Sequence, residues 1–400
     1  MATRESILED VLSMESRAIL LQLGTSLGKT RLAIEKTVQR CSDRENPKIL
    51  VVAPTYAIIK GWPDEFNKWN YSDMLQYVTF STYDSLDKRV DTQWDMIIFD
   101  EAHHLSDRCL VILAKLKSDN FIFLTATMKS ATYWGIKAVL PDLKTYDMGL
   151  YAAMEEGILA FPTIILIPLR LDSKEEKFTY EIIPKKVEKV DPKPYVMTPS
   201  MYWKLKKKND NTKYVLKGTA WDYNRLLSRF IEGLKKYKTG AARFKYLNLS
   251  GVRLKWLSRQ KDNQVKKILE ILKDERTLTF CSDIAHTEVF GPNSIHSQKD
   301  EEVMDILNAF NEGKINHIQA CRMLNEGVNL VNCRVGIFAN ISSSDIMNVQ
   351  RMGRILRHKN PVIIIPYFVD TREEEIVKEI VGDYNPELVK VIEKPCDLKL

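Results

Sequence analysis

The chain lacks the features that mark secreted, membrane-spanning or zinc-binding proteins. Its six cysteines (Cys41, Cys109, Cys281, Cys321, Cys333, Cys396) include no Cys-x-x-Cys pair, which argues against a zinc site and for a reducing compartment. The longest apolar runs, such as 161–171, carry Pro162, Pro168 and Arg170 and are too short to span a bilayer. No secretory apolar segment opens the sequence, because Arg4, Glu5, Glu9, Asp10, Glu15 and Arg17 crowd its start. An intracellular, cytoplasmic setting is therefore expected. No internal repeat is visible. With 400 residues, 44% hydrophobic and 28% charged, the chain is too long for one ordinary core. Two soluble domains with an insertion are expected.

Acids are scarce in one stretch. Residues 201–267 hold 19 Lys or Arg and only four acids, Asp210, Asp222, Glu232 and Asp262. That local surplus of +15 sits in a chain of net charge +6, so the remainder is −9. Lys206, Lys207 and Lys208 form a run of candidate phosphate contacts, and Tyr202, Trp203, Trp221, Phe230, Tyr237, Phe244 and Trp256 are interleaved. Cations that neutralise phosphate and rings that stack on bases make a nucleic-acid surface. The same rings can instead form a small helical core with the lysines as its solvated face. Both readings stand at this point.

Apolar runs alternate with helix-like segments along the rest of the chain. Strands are expected at 18–23, 49–53, 96–99 and 120–124, and again at 277–281, 317–320, 335–339 and 362–369. Helical spacing recurs at 30–38, 264–272, 301–311 and 373–380. Uninterrupted apolar strands alternating with helices predict α/β domains built on parallel sheets covered on both faces. Residues 172–199, rich in Lys, Glu and Pro, read as a connector.

The first strand runs into Gly24-Thr25-Ser26-Leu27-Gly28-Lys29-Thr30. Small residues between a strand and a helix let backbone N–H groups point at a phosphate, and the helix N-terminus adds its dipole. Lys29 offers a cation to phosphate oxygens and Thr30 a hydroxyl to Mg²⁺. The spacing from Gly24 is one residue shorter than the usual Gly-x4-Gly-Lys-Ser/Thr, so a chance Gly-Lys-Thr is the competing reading. Further on, 97–99 runs into Asp100-Glu101-Ala102-His103. An acid at the end of a neighbouring parallel strand can hold Mg²⁺, and a second acid can orient and deprotonate water. Asp100 is the candidate metal ligand and Glu101 the candidate base. The bland alternative is an exposed acidic helix start.

Lys29-Thr30, Asp100-Glu101-Ala102-His103, Thr125-Ala126-Thr127 and Gln350-x-x-Gly353-Arg354-x-x-Arg357 follow one another in the order seen in superfamily 2 helicases. The chain resembles that DExH/DEAH-box superfamily from about residue 18 to 380. Val51 to Thr55 resembles the motif Ia strand and loop. Trp62-x-x-Glu65-Phe66-x-x-Trp69 is similar to a pattern of Swi/Snf-type translocases. Ser81-Thr82-Tyr83 resembles motif Ic, Phe280-Cys281-Ser282 motif IV, and Asn325 to Leu330 motif V. Residues 148–159 look like the lead-in to the second domain of DNA-repair helicases and restriction-enzyme motors.

The resemblance implies two RecA-like P-loop NTPase domains, at 1–147 and 148–400, with a basic, largely helical insertion at about 173–260. It implies ATP and Mg²⁺ as ligands, DNA or RNA as partner, and a helicase or translocase activity. Such compact motors occur in phages as well as cells. Gly24 to Thr30, Gly327 and Asn329 would contact nucleotide. Arg354 and Arg357 would be arginine fingers, and Gln350 would position nucleotide or water. His103, Thr125 and Thr127 would couple hydrolysis to closure. Pro54, Thr55, Ser81, Thr82 and Ser282 would lie on the nucleic-acid track. Trp62 and Trp69 are expected to be ordinary core. Three departures stand out. Ser26 replaces a common glycine, which is tolerable if φ stays negative. Asn329 stands where an acid is common. No Arg-Pro-x-Gln adenine segment precedes the loop; only Arg4-Glu5-Ser6-Ile7 is offered. A rival from another class is an ATP-binding nucleic-acid scaffold without turnover.

Overall fold

The computed structural model describes residues 3–175, 177–182, 195–197, 214–296, 300–321, 330–382 and 384–400. The first domain opens with helix α1 (Arg4–Ser13), strand β1 (Ala18–Leu23) and helix α2 (Lys29–Cys41). Strand β2 (Ile49–Ala53), helix α3 (Tyr56–Lys68) and strands β3 (Val78–Thr82) and β4 (Gln93–Phe99) follow. Helix α4 (Asp107–Leu113), β5 (Lys117–Thr125), α5 (Ser130–Val139) and β6 (Lys144–Met148) complete it. The six strands form one parallel sheet in the order β3-β2-β4-β5-β1-β6. Period-two alternation serves both faces. Ile19, Leu21 and Leu23 pack with α1, α2 and α3, whereas Ala18 and Leu20 pack with α4 and α5.

Helix α6 (Leu150–Glu155) leads to the second domain, and its Leu150, Ala153 and Met154 belong to a buried apolar cluster that runs through both domains. Strand β7 (Thr163–Leu169) is the 161–171 apolar run. After it come three short strands, β8 (Lys177–Ile182), β9 (Tyr195–Met197) and β10 (Tyr214–Gly218), in a small mixed sheet that the helical reading of this stretch did not include. Helices α7 (Ala220–Lys235), α8 (Gly240–Gln260) and α9 (Asp262–Ile271) follow. The remaining elements are β11 (Thr277–Phe280), α10 (Ile284–Thr287), β12 (Ser294–Ile295), α11 (Asp300–Asn311), β13 (His317–Ala320), β14 (Val335–Ile337), α12 (Asp345–Ile355), β15 (Val362–Phe368), α13 (Arg372–Val381) and β16 (Val389–Val391). A second parallel sheet has the order β12-β13-β11-β14-β15-β7-β16. The fold is therefore two parallel-sheet α/β domains.

The basic stretch divides in two. Leu254 and Leu257 of α8 are buried in the main cluster, and Ser258 Oγ accepts a hydrogen bond from Asn340 Nδ2 at 2.9 Å. Lys261 is wholly buried. Its Nζ lies 2.7 Å from Glu373 Oε1 and 3.1 Å from the Pro366 carbonyl. A cation counted with the nucleic-acid surface is thus an internal tie between α8–α9 and the second sheet. The N-terminal part of α8 is different: Phe244, Lys245, Leu247 and Asn248 are exposed. The 21 residues of α8 contain five Lys or Arg and no acid. Tyr223 and Trp256 lie 4.7 Å apart between α7 and α8, so some of the interleaved rings are core and others are surface.

Candidate nucleotide site

All strands of a parallel sheet end on one edge, and β4, β5 and β1 are neighbours in the first sheet. Their C-terminal ends therefore bring Asp100, Thr125 and Gly24 side by side, the usual location of an α/β ligand site. The loop after β1 is held by the Gly24 N–H, which donates to the Met148 carbonyl at 2.9 Å. A Cβ on Gly24 would come within 2.6 Å of Leu150 Cδ2, so glycine is required for the approach of α6. Gly28 has φ +84° and caps α2 without a side-chain bond. The first N–H groups of α2 have no intrahelical acceptor and the dipole is positive there. Lys29 and Thr30 open this helix, and Lys29 Nζ donates to the Leu23 carbonyl at 3.0 Å. Ser26 has φ +75°, so the condition of negative φ is not met. The serine adopts the conformation that glycine would have supplied.

The acids follow directly from β4. Asp100 N donates to the Val52 carbonyl at 2.8 Å, and Tyr83 Oη donates to the Asp100 carbonyl at 2.8 Å. Both carboxylate oxygens have partners. Oδ1 accepts the Glu101 N–H at 2.9 Å, and Oδ2 accepts the indole N–H of Trp62 at 3.0 Å. Trp62 is core, as expected, yet it also bonds to a candidate metal ligand. A fully buried indole N–H must find an acceptor, and that requirement was the available signal. Trp69 is half-buried, donates to Glu65 Oε2 at 3.1 Å and lies under Arg31 at 4.3 Å.

Glu101 has φ +46°, uncommon for a residue with a Cβ. Its Oε2 is buried without a hydrogen bond, although His103 Nδ1 lies 3.3 Å away. His103 Nδ1 is also 3.2 Å from Thr125 Oγ1, which donates to the Thr127 carbonyl at 2.7 Å. His103, Thr125 and Thr127 are thus joined to Glu101 within the first domain. Burial and the neighbouring Glu101 charge push the Asp100 carboxyl up to about 7. Burial also opposes ionisation of Glu101, but the neighbouring His103 ring and the Lys29 charge outweigh it and hold that carboxyl below its ordinary value. Burial lowers the Lys29 ammonium, against the pull of Glu101 and Asp100. Arg354 and Arg357 are near enough to lower it further.

Those arginines come from the second domain. Helix α12 carries buried Gln350, Arg351 and Arg354, and Arg357 follows it. Ser26 Oγ donates to the Gly353 carbonyl at 2.6 Å and accepts from Arg357 Nε at 2.8 Å. A Cβ on Gly353 would overlap Thr25 Oγ1. The loop of the first domain and the arginine segment of the second are thus in direct contact. Gln350 Nε2 and Thr127 Oγ1 are buried without hydrogen-bond partners, the state of polar groups that serve a ligand. Arg351 instead points inward, donating to the Asn340 carbonyl at 2.7 Å. A carboxylate and a hydroxyl, with phosphate oxygens and water, make a donor set that suits Mg²⁺; Asp100 and Thr30 supply that pair.

The remaining candidates are more scattered. Pro54 and Thr55 are at least partly exposed, with Thr55 capping α3. Ser81 and Thr82 are buried. Ser282 Oγ lies 3.0 Å from His286 Nδ1, and His286 Nε2 lies 2.9 Å from Asp262 Oδ1. Lys206, Lys207, Lys208, Gly327 and Asn329 lie outside the described residues. Among those described, no helix is long and apolar enough to cross a membrane.

Residues 3–130 match the family described as Type III restriction enzyme, res subunit, and residues 260–359 match the Helicase conserved C-terminal domain. The DNA 3'-5' translocase XPB2 of Sulfurisphaera tokodaii is 25% identical over 378 residues, covering 86% of this chain and 76% of that protein. In fold, Saccharomyces cerevisiae Dbp5 bound to RNA and ADP BeF3 superposes with a TM-score of 0.61 at 11% identity, over 98% of this chain and 89% of that one. The Pyrococcus furiosus Hef helicase domain gives 0.51 at 14% identity, over 94% and 97%. Fold and family together define an ATP-hydrolysing enzyme built on two α/β domains. The chain belongs to the superfamily 2 helicases.

Proposed function

We propose that the protein is a DNA-dependent ATPase that moves along a phosphate backbone. The cleft between RecA-like domains at 1–147 and 148–400 closes and opens with each turnover. The observation that carries this reading is the meeting of Ser26 with Gly353 and Arg357. A phosphate bound at 24–30 would lie beside guanidiniums from the other domain, and their charge counts most in a dry, closed site. Lys29 and the first N–H groups of α2 hold the phosphates. Thr30 and Asp100 would hold Mg²⁺, which would supply positive charge to neutralise the phosphates. Glu101 accepts a proton from water, Arg354 and Arg357 stabilise the transferred phosphoryl group, and Gln350 positions water or nucleotide. His103, Thr125 and Thr127 tie this chemistry to closure.

The name of the Sulfurisphaera tokodaii relative, a DNA translocase, favours DNA over RNA. The insertion at about 173–260 adds grip through the acid-free α8, whose exposed Phe244 and Lys245 offer a ring and a cation. A second reading is duplex translocation without strand separation, favoured by the Trp62 to Trp69 pattern and by the same relative. The test is ATPase activity with single-stranded, duplex and branched DNA and with RNA, with Lys29→Ala as the inactive control. Unwinding and triplex-displacement assays run beside it separate the two readings. Absence of turnover on every polynucleotide would leave only a scaffold role.

A further inference from the structure

We infer that Trp62 is a positioning residue for Asp100, and that α3 joins it to Thr55 on the proposed nucleic-acid track. This rests on the assignment of Asp100 to Mg²⁺ above. Trp62 is 2% exposed, and its indole N–H, a donor with no acceptor capacity, lies 3.0 Å from Asp100 Oδ2. The Glu101 N–H fixes the other oxygen at 2.9 Å. Two donors from two directions set the plane of the carboxylate and leave lone pairs on each oxygen for a cation.

Core packing alone does not require this partner. Trp94 is equally buried in the same domain, and its indole N–H is satisfied by the Arg89 carbonyl at 3.1 Å. Trp62 instead uses the side chain of a candidate catalytic acid 38 residues away. Its helix explains the connection. Ile58, Trp62 and Phe66 form one buried stripe of α3 at four-residue spacing, and the Trp62 and Phe66 rings are 6.1 Å apart. Thr55, seven residues before Trp62, caps the same helix from an exposed position beside Pro54. Two helical turns, roughly 10 Å, separate the cap from the indole. A phosphate bound at Thr55 would thus act on the helix that carries the donor to Asp100.

The test compares Trp62→Phe, Trp62→His and Trp94→Phe. The readout is the affinity of a fluorescent ADP analogue in Mg²⁺ relative to EDTA, measured beside thermal unfolding. In wild type, Mg²⁺ tightens binding. Trp62→Phe should cut that Mg²⁺ advantage roughly tenfold, as expected for loss of one charge-assisted hydrogen bond. Trp62→His, smaller but with an N–H, should be less stable than Trp62→Phe yet keep more of the advantage. Trp94→Phe should leave it unchanged. In ATPase assays, Trp62→Phe should need more Mg²⁺ and lose part of its stimulation by single-stranded DNA. Benzothienylalanine at position 62 replaces N–H with sulfur at nearly constant shape and should reproduce Trp62→Phe even if that variant folds poorly. If the Mg²⁺ advantage follows stability rather than the presence of N–H, Trp62 is core and nothing more. If wild type itself shows no Mg²⁺ advantage, the nucleotide-site reading fails instead.

Discussion

Ser26 holds a left-handed backbone that costs an L-residue roughly 1–2 kcal/mol and glycine almost nothing. It is repaid by bonds to Gly353 and Arg357, about 327 and 331 residues away in sequence. Ser26→Ala keeps the strain and loses both bonds, one of them to a charged group, and should destabilise the nucleotide-free protein by about 2 kcal/mol. Ser26→Gly loses the bonds and the strain together, so it should be about 1 kcal/mol less harmful. Thermal unfolding of the pair gives the order; Ala milder than Gly would refute the left-handed backbone at position 26. Glu101 is likewise in left-handed backbone, with a buried carboxylate oxygen that has no hydrogen bond. Glu101→Gln preserves shape and removes basicity. Turnover should fall by roughly 10²–10⁴ while nucleotide binding survives, which single-turnover kinetics and equilibrium binding measure separately.

Among the elements, α1 and α2 are joined by a buried lysine. Lys36 Nζ donates to the Leu12 carbonyl at 2.7 Å and to Gln39 Oε1 at 2.8 Å. Burial, helped by the nearby Arg40 charge, lowers its ammonium to about 8. The unfolded chain therefore binds more protons than the folded one between about pH 8 and the ordinary lysine value near 10.5. Stability should rise with pH across that window as the penalty on a buried cation disappears. Lys36→Met abolishes this contribution, so the stability difference between wild type and variant should shift in favour of wild type from pH 8 to 10.5. Denaturant unfolding at several pH values reads the shift, and a flat difference contradicts it. Element legibility followed local rules. Strands β1, β2, β4 and β5 were readable because strands buried on both faces are continuously apolar. Strand β7 was obscured by Pro168, which lies beyond the 164–166 stretch paired with β16 and so at a place where a missing N–H is tolerated. The loop, the acids and the arginine segment were legible because each is a short string after a strand or on a helix. The φ of Ser26 and the Trp62–Asp100 bond were not, since partners far along the chain decide them.

At the scale of the whole molecule, the distribution of charge decides what the motor can grip. Lys261 is buried against Glu373 and cannot meet a phosphate, and Arg259 is paired with Asp283 at 2.8 Å. The solvent-facing surplus lies further out, around the turn between α7 and α8, where Lys236, Lys238 and Lys245 are exposed and Arg243 is partly so. Removing all of 173–260 would also delete Leu254 and Leu257 from the core, so loss of function there would say little about DNA. Replacing Lys236, Lys238, Arg243 and Lys245 with glutamine leaves that core intact. If these four side chains neutralise backbone phosphates, each releases a condensed counterion on binding, worth a salt slope of about 0.7 per contact on a single strand. The logarithmic salt dependence of single-stranded DNA binding should then flatten by about 2 to 3, with affinity lost chiefly at low salt. ATP turnover without DNA should be unchanged, because none of the four approaches the phosphate loop in sequence or lies on α12. An unaltered slope would place the track elsewhere, along Pro54, Thr55 and Ser282, and would leave the acid-free helix without a polyanionic partner.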